Sequence, residues 1–195
     1  MRIFKDNVSK IKDRNKLKVV FIQKTWEEFS SSADASFDLI TFFHSVYGIG
    51  VSNGIFPSLK NLTNFLKSQG RACVVVESPN SDLQLIKREV WPELYEREPI
   101  SSETVERTLA AFDISYAVDT DEPEQRFYVD ELLDPNNPRR MEPLSFIAQT
   151  QPENYNRLVP VDIQVQIEKS VREKMKADKR GSYISTPDRF IWTRK

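Results

Sequence analysis

The sequence carries a single cysteine and a single histidine in 195 residues, and each scarcity removes a class of function. Cys73 has no partner for an intrachain disulfide, and its place in the apolar run 72–76 reads as a buried structural thiol in a reducing compartment. With one His and one Cys, any metal site falls to carboxylates, and the acidic residues show no ligand spacing. No apolar run approaches the roughly 20 residues needed to cross a bilayer. Residues 1–6 lack a signal-peptide core, so a cytoplasmic protein is expected. Lys+Arg 28 against Asp+Glu 29 leave a net charge of −1 with no long block of one sign, so neither nucleic acid nor a membrane surface is an expected partner. The partner left is a small molecule or a protein. The length suits one domain with a real core.

What is present centres on residues 37–50. Its first half, 37–43, is an apolar run of strand length, followed by His44, Ser45 and Tyr47 and then by glycines. A run without period-2 alternation reads as an interior strand of a parallel sheet, with helices on both faces. Ligands of such sheets sit at the strands' carboxyl ends. His44, Ser45 and Tyr47 are therefore the first candidates.

The remaining pattern alternates strands and helices, which argues for an α/β layered sheet. Apolar residues at helical spacing predict a helix over 2–15, and β-branched residues a strand over 17–23. A polar loop is expected over 30–36. Leu59, Leu62, Phe65 and Leu66 predict a helix over 56–68 that Gly70 ends. A strand follows over 72–78, then a helix over 82–95, and then one capped by Ser101 or Ser102. Strands are expected over 114–119 and 126–129, a break over 134–138, and a short helix around 144–147. Residues 161–175 mix both periods; the helix-forming run 168–179 favours a helix, with Gly181 stopping it. A terminal strand or hairpin is expected over 183–193, with the last strand antiparallel to its neighbour.

Several candidates carry two readings. His44 could orient a substrate or accept a proton near neutral pH, or be a half-buried histidine bonded to backbone. Ser45 beside it makes no triad without a second base. The glycines of 48–54 lack the dinucleotide spacing and read as a strand-to-helix loop, although a nucleotide-binding oxidoreductase is the class they would suggest. Thr25 and Trp26 offer a hydroxyl and a flat ring of the kind that lines an adenine pocket; an ordinary partly buried Trp fits as well. Trp26, Phe42, Phe43 and Tyr47 could hold a cation by their faces, or simply form core.

Taken together, the order of elements and several strings resemble the class I S-adenosylmethionine-dependent methyltransferases, and within them the histamine N-methyltransferase family. The likeness rests on 37–40 followed by His44 and Tyr47, on 60–70, 72–78 and 100–105, and on 145–161 and 189–193. It implies a Rossmann-like three-layer sandwich with its last strand antiparallel. It also implies methyl transfer from S-adenosylmethionine to the nitrogen of a small amine, largely by positioning and desolvation. On matching positions, Thr25, Trp26 and Phe43 would contact the cofactor, and His44, Tyr47 and Thr186 the amine substrate. No covalent nucleophile is required, and a monomer is expected.

The chain also departs from the family. The family's first two strands, its glycine-rich loop and its ribose-binding acid lie before the point matching Met1, and the five glycines at 48, 50, 54, 70 and 181 do not replace them. The resemblance therefore implies an N-terminally truncated domain: 1–195 as the carboxyl-terminal two-thirds, with 134–181 as a helical substrate-side insert. It implies weak or no binding of S-adenosylmethionine and an unpaired apolar edge on strands 17–23 and 37–43. His44 and Gly48 stand where family members carry an amide and an aromatic. A catalytically inactive methyltransferase-like module that binds a protein is the second reading.

Overall fold

The computed structural model describes residues 24–32, 36–95, 98–119 and 121–195. The helix expected over 2–15 and the strand over 17–23 lie outside the described residues. In chain order the elements are α1 (Trp26–Ser32), β1 (Phe37–Phe43), β2 (Leu66–Glu77), α2 (Asp82–Tyr95), α3 (Ser102–Ala111), β3 (Tyr116–Val118) and β4 (Arg126–Tyr128). They continue with α4 (Asp130–Leu133), α5 (Met141–Ile147), α6 (Tyr155–Leu158), α7 (Val161–Lys174), β5 (Lys176–Asp178), β6 (Gly181–Ser185) and β7 (Asp188–Arg194). The fold is mixed α/β.

One sheet runs β1-β2-β7-β3, and a smaller one runs β4-β6-β5. β1 and β2 are parallel, whereas β7 is antiparallel to both β2 and β3. The last strand is thus antiparallel, as expected, and it enters between two strands made before it. Alternate β2 residues Ala72, Val74 and Val76 are buried in one core with Phe42, Val105, Leu109 and Ile191. This places α3 over that face. A second core joins α2 to α5, α6 and α7 through Ile86, Trp91, Ile147, Tyr155 and Ile167. Most of the 134–181 segment therefore packs on α2.

Four expectations change. Residues 56–68 form two 3-10 turns, Pro57–Leu59 and Leu62–Phe65, before β2 begins at Leu66. The apolar residues 59, 62 and 65 recur every three positions, which is the 3-10 period, and all three are buried. Gly70 lies inside β2 rather than ending a helix. A Cβ there would stand 2.6 Å from the Phe37 carbonyl oxygen and 2.9 Å from the Lys67 nitrogen, so the start of β1 demands glycine. Second, β1 is not enclosed on both faces: Leu39 is 54% and Phe43 61% exposed. Third, α1 runs on through residues 30–32, where a polar loop is expected, and Thr25 and Glu28 cap its start. The Thr25 hydroxyl accepts from the Glu28 N–H at 3.2 Å, and Glu28 Oε2 accepts from the Thr25 N–H at 3.0 Å. Fourth, α7 ends at Lys174, and 176–185 fold as the β5–β6 hairpin. β6 and β7 then join different sheets, so 183–193 is no hairpin.

Gly181 opens β6 rather than stopping a helix. Its φ is +142°, and a Cβ there would meet Asp130 Oδ2 at 2.0 Å, where the same carboxylate accepts from the Ser182 N–H at 2.9 Å. Replacing Gly181 by Ala combines backbone strain with displacement of Asp130, and about 2–3 kcal/mol of destabilisation is expected. A chemical-denaturation midpoint close to wild type would contradict it.

Candidate functional site

β1 ends where its chain leaves extended geometry. His44 has φ +47°, a left-handed conformation tolerated by histidine but uncommon, and its N–H donates to the Val75 carbonyl at 3.0 Å. The backbone is thereby fixed to β2 while the ring is turned across the strand ends. There His44 Nε2 lies 3.0 Å from Asp188 Oδ2 at the start of β7, with Asp188 almost fully buried. The Gln125 side-chain amide donates to the same Asp188 oxygen. Tyr47 lies beside His44, ring centroids 6.0 Å apart and planes 22° from parallel, and its hydroxyl oxygen accepts from the Glu77 N–H at 3.0 Å.

Beneath this tip is a buried polar network. Glu77 stands opposite Asp188 in the β2–β7 register. Its carboxylate accepts from the Ser81 hydroxyl at 2.7 Å, from the Gln84 amide at 2.8 Å and from Lys87 Nζ at 3.3 Å. Glu77 and Lys87 are both buried, so each needs the other. α2 supplies Gln84 and Lys87 one turn apart and hence on one face. Two carboxylates thus meet at the carboxyl end of the sheet. One is balanced by a lysine, and the other by the histidine and a neutral amide.

That asymmetry sets the titration of His44. Its hydrogen bond to Asp188 raises its pKa above the ordinary 6.5, against the opposing cost of burial. A raised native value means that the pair stabilises the fold fully below pH 6.5, and that this contribution fades as pH rises through the native value. Because 44% of the side chain faces solvent, the contribution is at most about 1 kcal/mol. The difference in thermal midpoint between wild type and His44→Gln is therefore expected to be larger at pH 5.5 than at pH 9. An equal difference at both would refute the coupling. Burial pushes the Cys73 thiol up to about 11, in keeping with a structural thiol.

The substrate-side candidates converge. His44 and Tyr47 are adjacent, and Thr186 joins them through Gln125, whose backbone oxygen accepts from the Thr186 N–H at 2.9 Å while its side chain holds Asp188. The cofactor-side candidates do not converge. Trp26 packs edge-on against Phe42 at 4.9 Å and Phe65 at 5.7 Å, and its indole N–H donates to the Ser58 carbonyl at 3.0 Å. Successive strand residues face opposite ways, so Phe43 projects from the other face of β1. Thr25 is occupied as a helix cap. Of the three, Phe43 is the ring left exposed, and the described residues assemble no slot from all of them. Residues 48–54 form a turn and an isolated bridge between Ser52 and Ile55, as a connecting loop does.

Sequence reasoning missed Asp188, Gln125, Glu77 and Lys87. The one available signal was Asp188 opening the terminal apolar run; the Glu77–Lys87 spacing becomes informative only once α2 turns back on β2. Among the described residues, no group of three or more His, Cys, Asp or Glu could hold a metal ion, and no helix is long and apolar enough to cross a membrane.

No protein-family model and no curated protein matches the chain. Among solved structures, it is similar to the crystal structure of the YcgJ protein from Bacillus subtilis. The two are 15% identical with a TM-score of 0.53, over 100% of this chain and 77% of that one. At that identity the likeness concerns the fold alone.

Proposed function

We propose that the chain is a methyltransferase-type domain that transfers a methyl group from S-adenosylmethionine to the nitrogen of a small amine. The observation that carries this reading is the strand order β1-β2-β7-β3, in which an antiparallel strand enters between parallel ones. Its antiparallel last strand is the feature implied by the resemblance to class I methyltransferases, and His44, Tyr47 and Asp188 sit at the carboxyl end of the parallel strands. The cofactor, when bound, supplies an electrophilic methyl group. The chain's own residues do the rest: the Asp188 carboxylate and the face of the Tyr47 ring attract a cationic amine, and the strand ends fix its orientation.

A second reading, a catalytically inactive module of the same fold that binds a protein, is favoured by one observation: Thr25 and Trp26 are committed to a cap and to core packing. The two separate in one experiment. Because weak cofactor binding is expected, the chain is incubated with a large excess of S-adenosylmethionine and a panel of small primary amines, histamine among them, and N-methylated product is sought by mass spectrometry. Product from at least one amine, reduced at least about tenfold in Asp188→Asn, is expected of the first reading, a loss of the size that removing a charged hydrogen-bond partner produces. No product from any amine would leave the second.

A further inference from the structure

Groups from several segments surround the His44 imidazole. β7 brings Asp188, the segment before β4 brings Gln125, the turn after β1 brings Tyr47, β2 brings Glu77 and α2 brings Lys87. Lys87 is satisfied by Glu77, so its charge is already spoken for. Asp188 is a buried carboxylate that receives from the described residues a neutral amide and the imidazole. A buried carboxylate needs a cation or several donors, and His44 is the group in place to become that cation. The geometry also distinguishes the two ring nitrogens. Nε2 faces a carboxylate, which only accepts, so Nε2 carries the hydrogen in the neutral ring. Nδ1 is then the basic nitrogen. Among the described residues it has no hydrogen-bond partner, and the ring is partly open to solvent.

We propose that His44 is the proton acceptor of this site, taking the proton of an incoming alkylammonium ion on Nδ1, with Asp188 and Gln125 as the groups that position it. This rests on the reading above that the ligand is a small amine. The nitrogen of an alkylammonium has no lone pair and cannot attack a methyl carbon. When the ammonium N–H bond breaks, its electron pair stays on the amine nitrogen and the proton forms a bond to Nδ1. The imidazolium so formed faces Asp188, and the amine becomes a neutral nucleophile. The proton later leaves from Nδ1 to water on the ring's open side. An amide in the same place could bind the amine but could not take its proton. His44 therefore adds to the site a step that a Gln at this position would lack.

The chain's single histidine makes the test direct. Nitrogen-15 NMR of the full chain follows one imidazole through its titration. The neutral form is expected as the Nε2–H tautomer, with a midpoint above 6.5 that falls to 6.5 or below in Asp188→Asn. A dominant Nδ1–H tautomer, or a midpoint at or below 6.5 in the unaltered chain, overturns the proposal even if Asp188→Asn fails to fold. On any amine found to be methylated, kcat/KM is expected to fall on the acid side with the NMR midpoint. His44→Gln should abolish that limb and lower the plateau at least about tenfold, since general bases contribute about 10²–10⁴-fold. A His44→Gln variant that keeps the acid limb overturns the proposal. If no amine is methylated, the methyl-transfer reading fails together with the amine step, while the tautomer and midpoint still decide whether the open basic nitrogen exists.

Discussion

Replacing Lys87 by methionine is expected to destabilise the chain by about 3–5 kcal/mol, because it strands a buried charge. Glu77 and Lys87 are 5% and 4% exposed. Methionine fills much of the lysine's volume, so the loss is not one of packing. The carboxylate keeps two donors, Ser81 and Gln84, but no cation. Lys87 Nζ also lies 5.9 Å from the Trp91 ring centre and 5.5 Å from that of Phe146, contacts worth about 0.5–2 kcal/mol. The decisive comparison is the double variant Glu77→Gln with Lys87→Met. With the charge gone from both sides it is expected to be more stable than Lys87→Met alone, by urea unfolding. A double variant less stable than the single one would show that the ion pair is not what holds this junction.

Trp91→Ala is expected to cost a similar amount, about 3–5 kcal/mol, by a different route. Trp91 is 2% exposed in the core between α2 and the helices of 141–174. Its N–H donates to the Ile147 carbonyl at 3.1 Å, and its ring meets Tyr95 edge-on at 5.2 Å. Truncation opens a cavity and leaves a buried carbonyl short of a donor. Trp91→Phe keeps most of the volume and is expected to lose well under half as much. Equal losses for Ala and Phe would mean that the hydrogen bond, rather than the filled space, dominates. Because Lys87 touches Trp91, the two substitutions are not expected to add.

These two residues show where sequence reading reached its limit. The helix over 82–95 was legible in its bounds because its apolar stripe and its breakers are local. So were the strand over 37–43 and the strand position of 72–77. The spacing of Leu59, Leu62 and Phe65 misled because periods of 3.0 and 3.6 differ little over two turns. The hairpin over 176–185 was hidden by lysine-rich helix formers, whose preference yields to the Asp130 anchor at Ser182. At the candidate site, the position of His44 and Tyr47 just past the end of β1 was legible from the strand pattern alone. Asp188 was not, because it lies 144 residues away, and only the pairing of β2 with β7 brings it there. Trp26 admits two readings in the sequence because a flat apolar ring suits a ligand as well as the partly buried packing it makes against Phe42 and Phe65.

The position of β7 between β2 and β3 also governs when the sheet can exist. Among the described residues, β3 pairs in the main sheet with β7 alone, and ribosomes deliver residues from the amino end. While residues 119–187 are being made, β1 and β2 can pair as neighbours, but β3 still waits for β7, and so does the side of β2 that β7 covers. Closing that gap brings together residues more than 110 positions apart, such as Ala72 and Thr193, a distant pairing of the kind that slows folding. Asp188 arrives with the same strand. The contact between His44 and Asp188 is therefore among the last to form, and a nascent chain halted before β7 leaves the imidazole without its carboxylate.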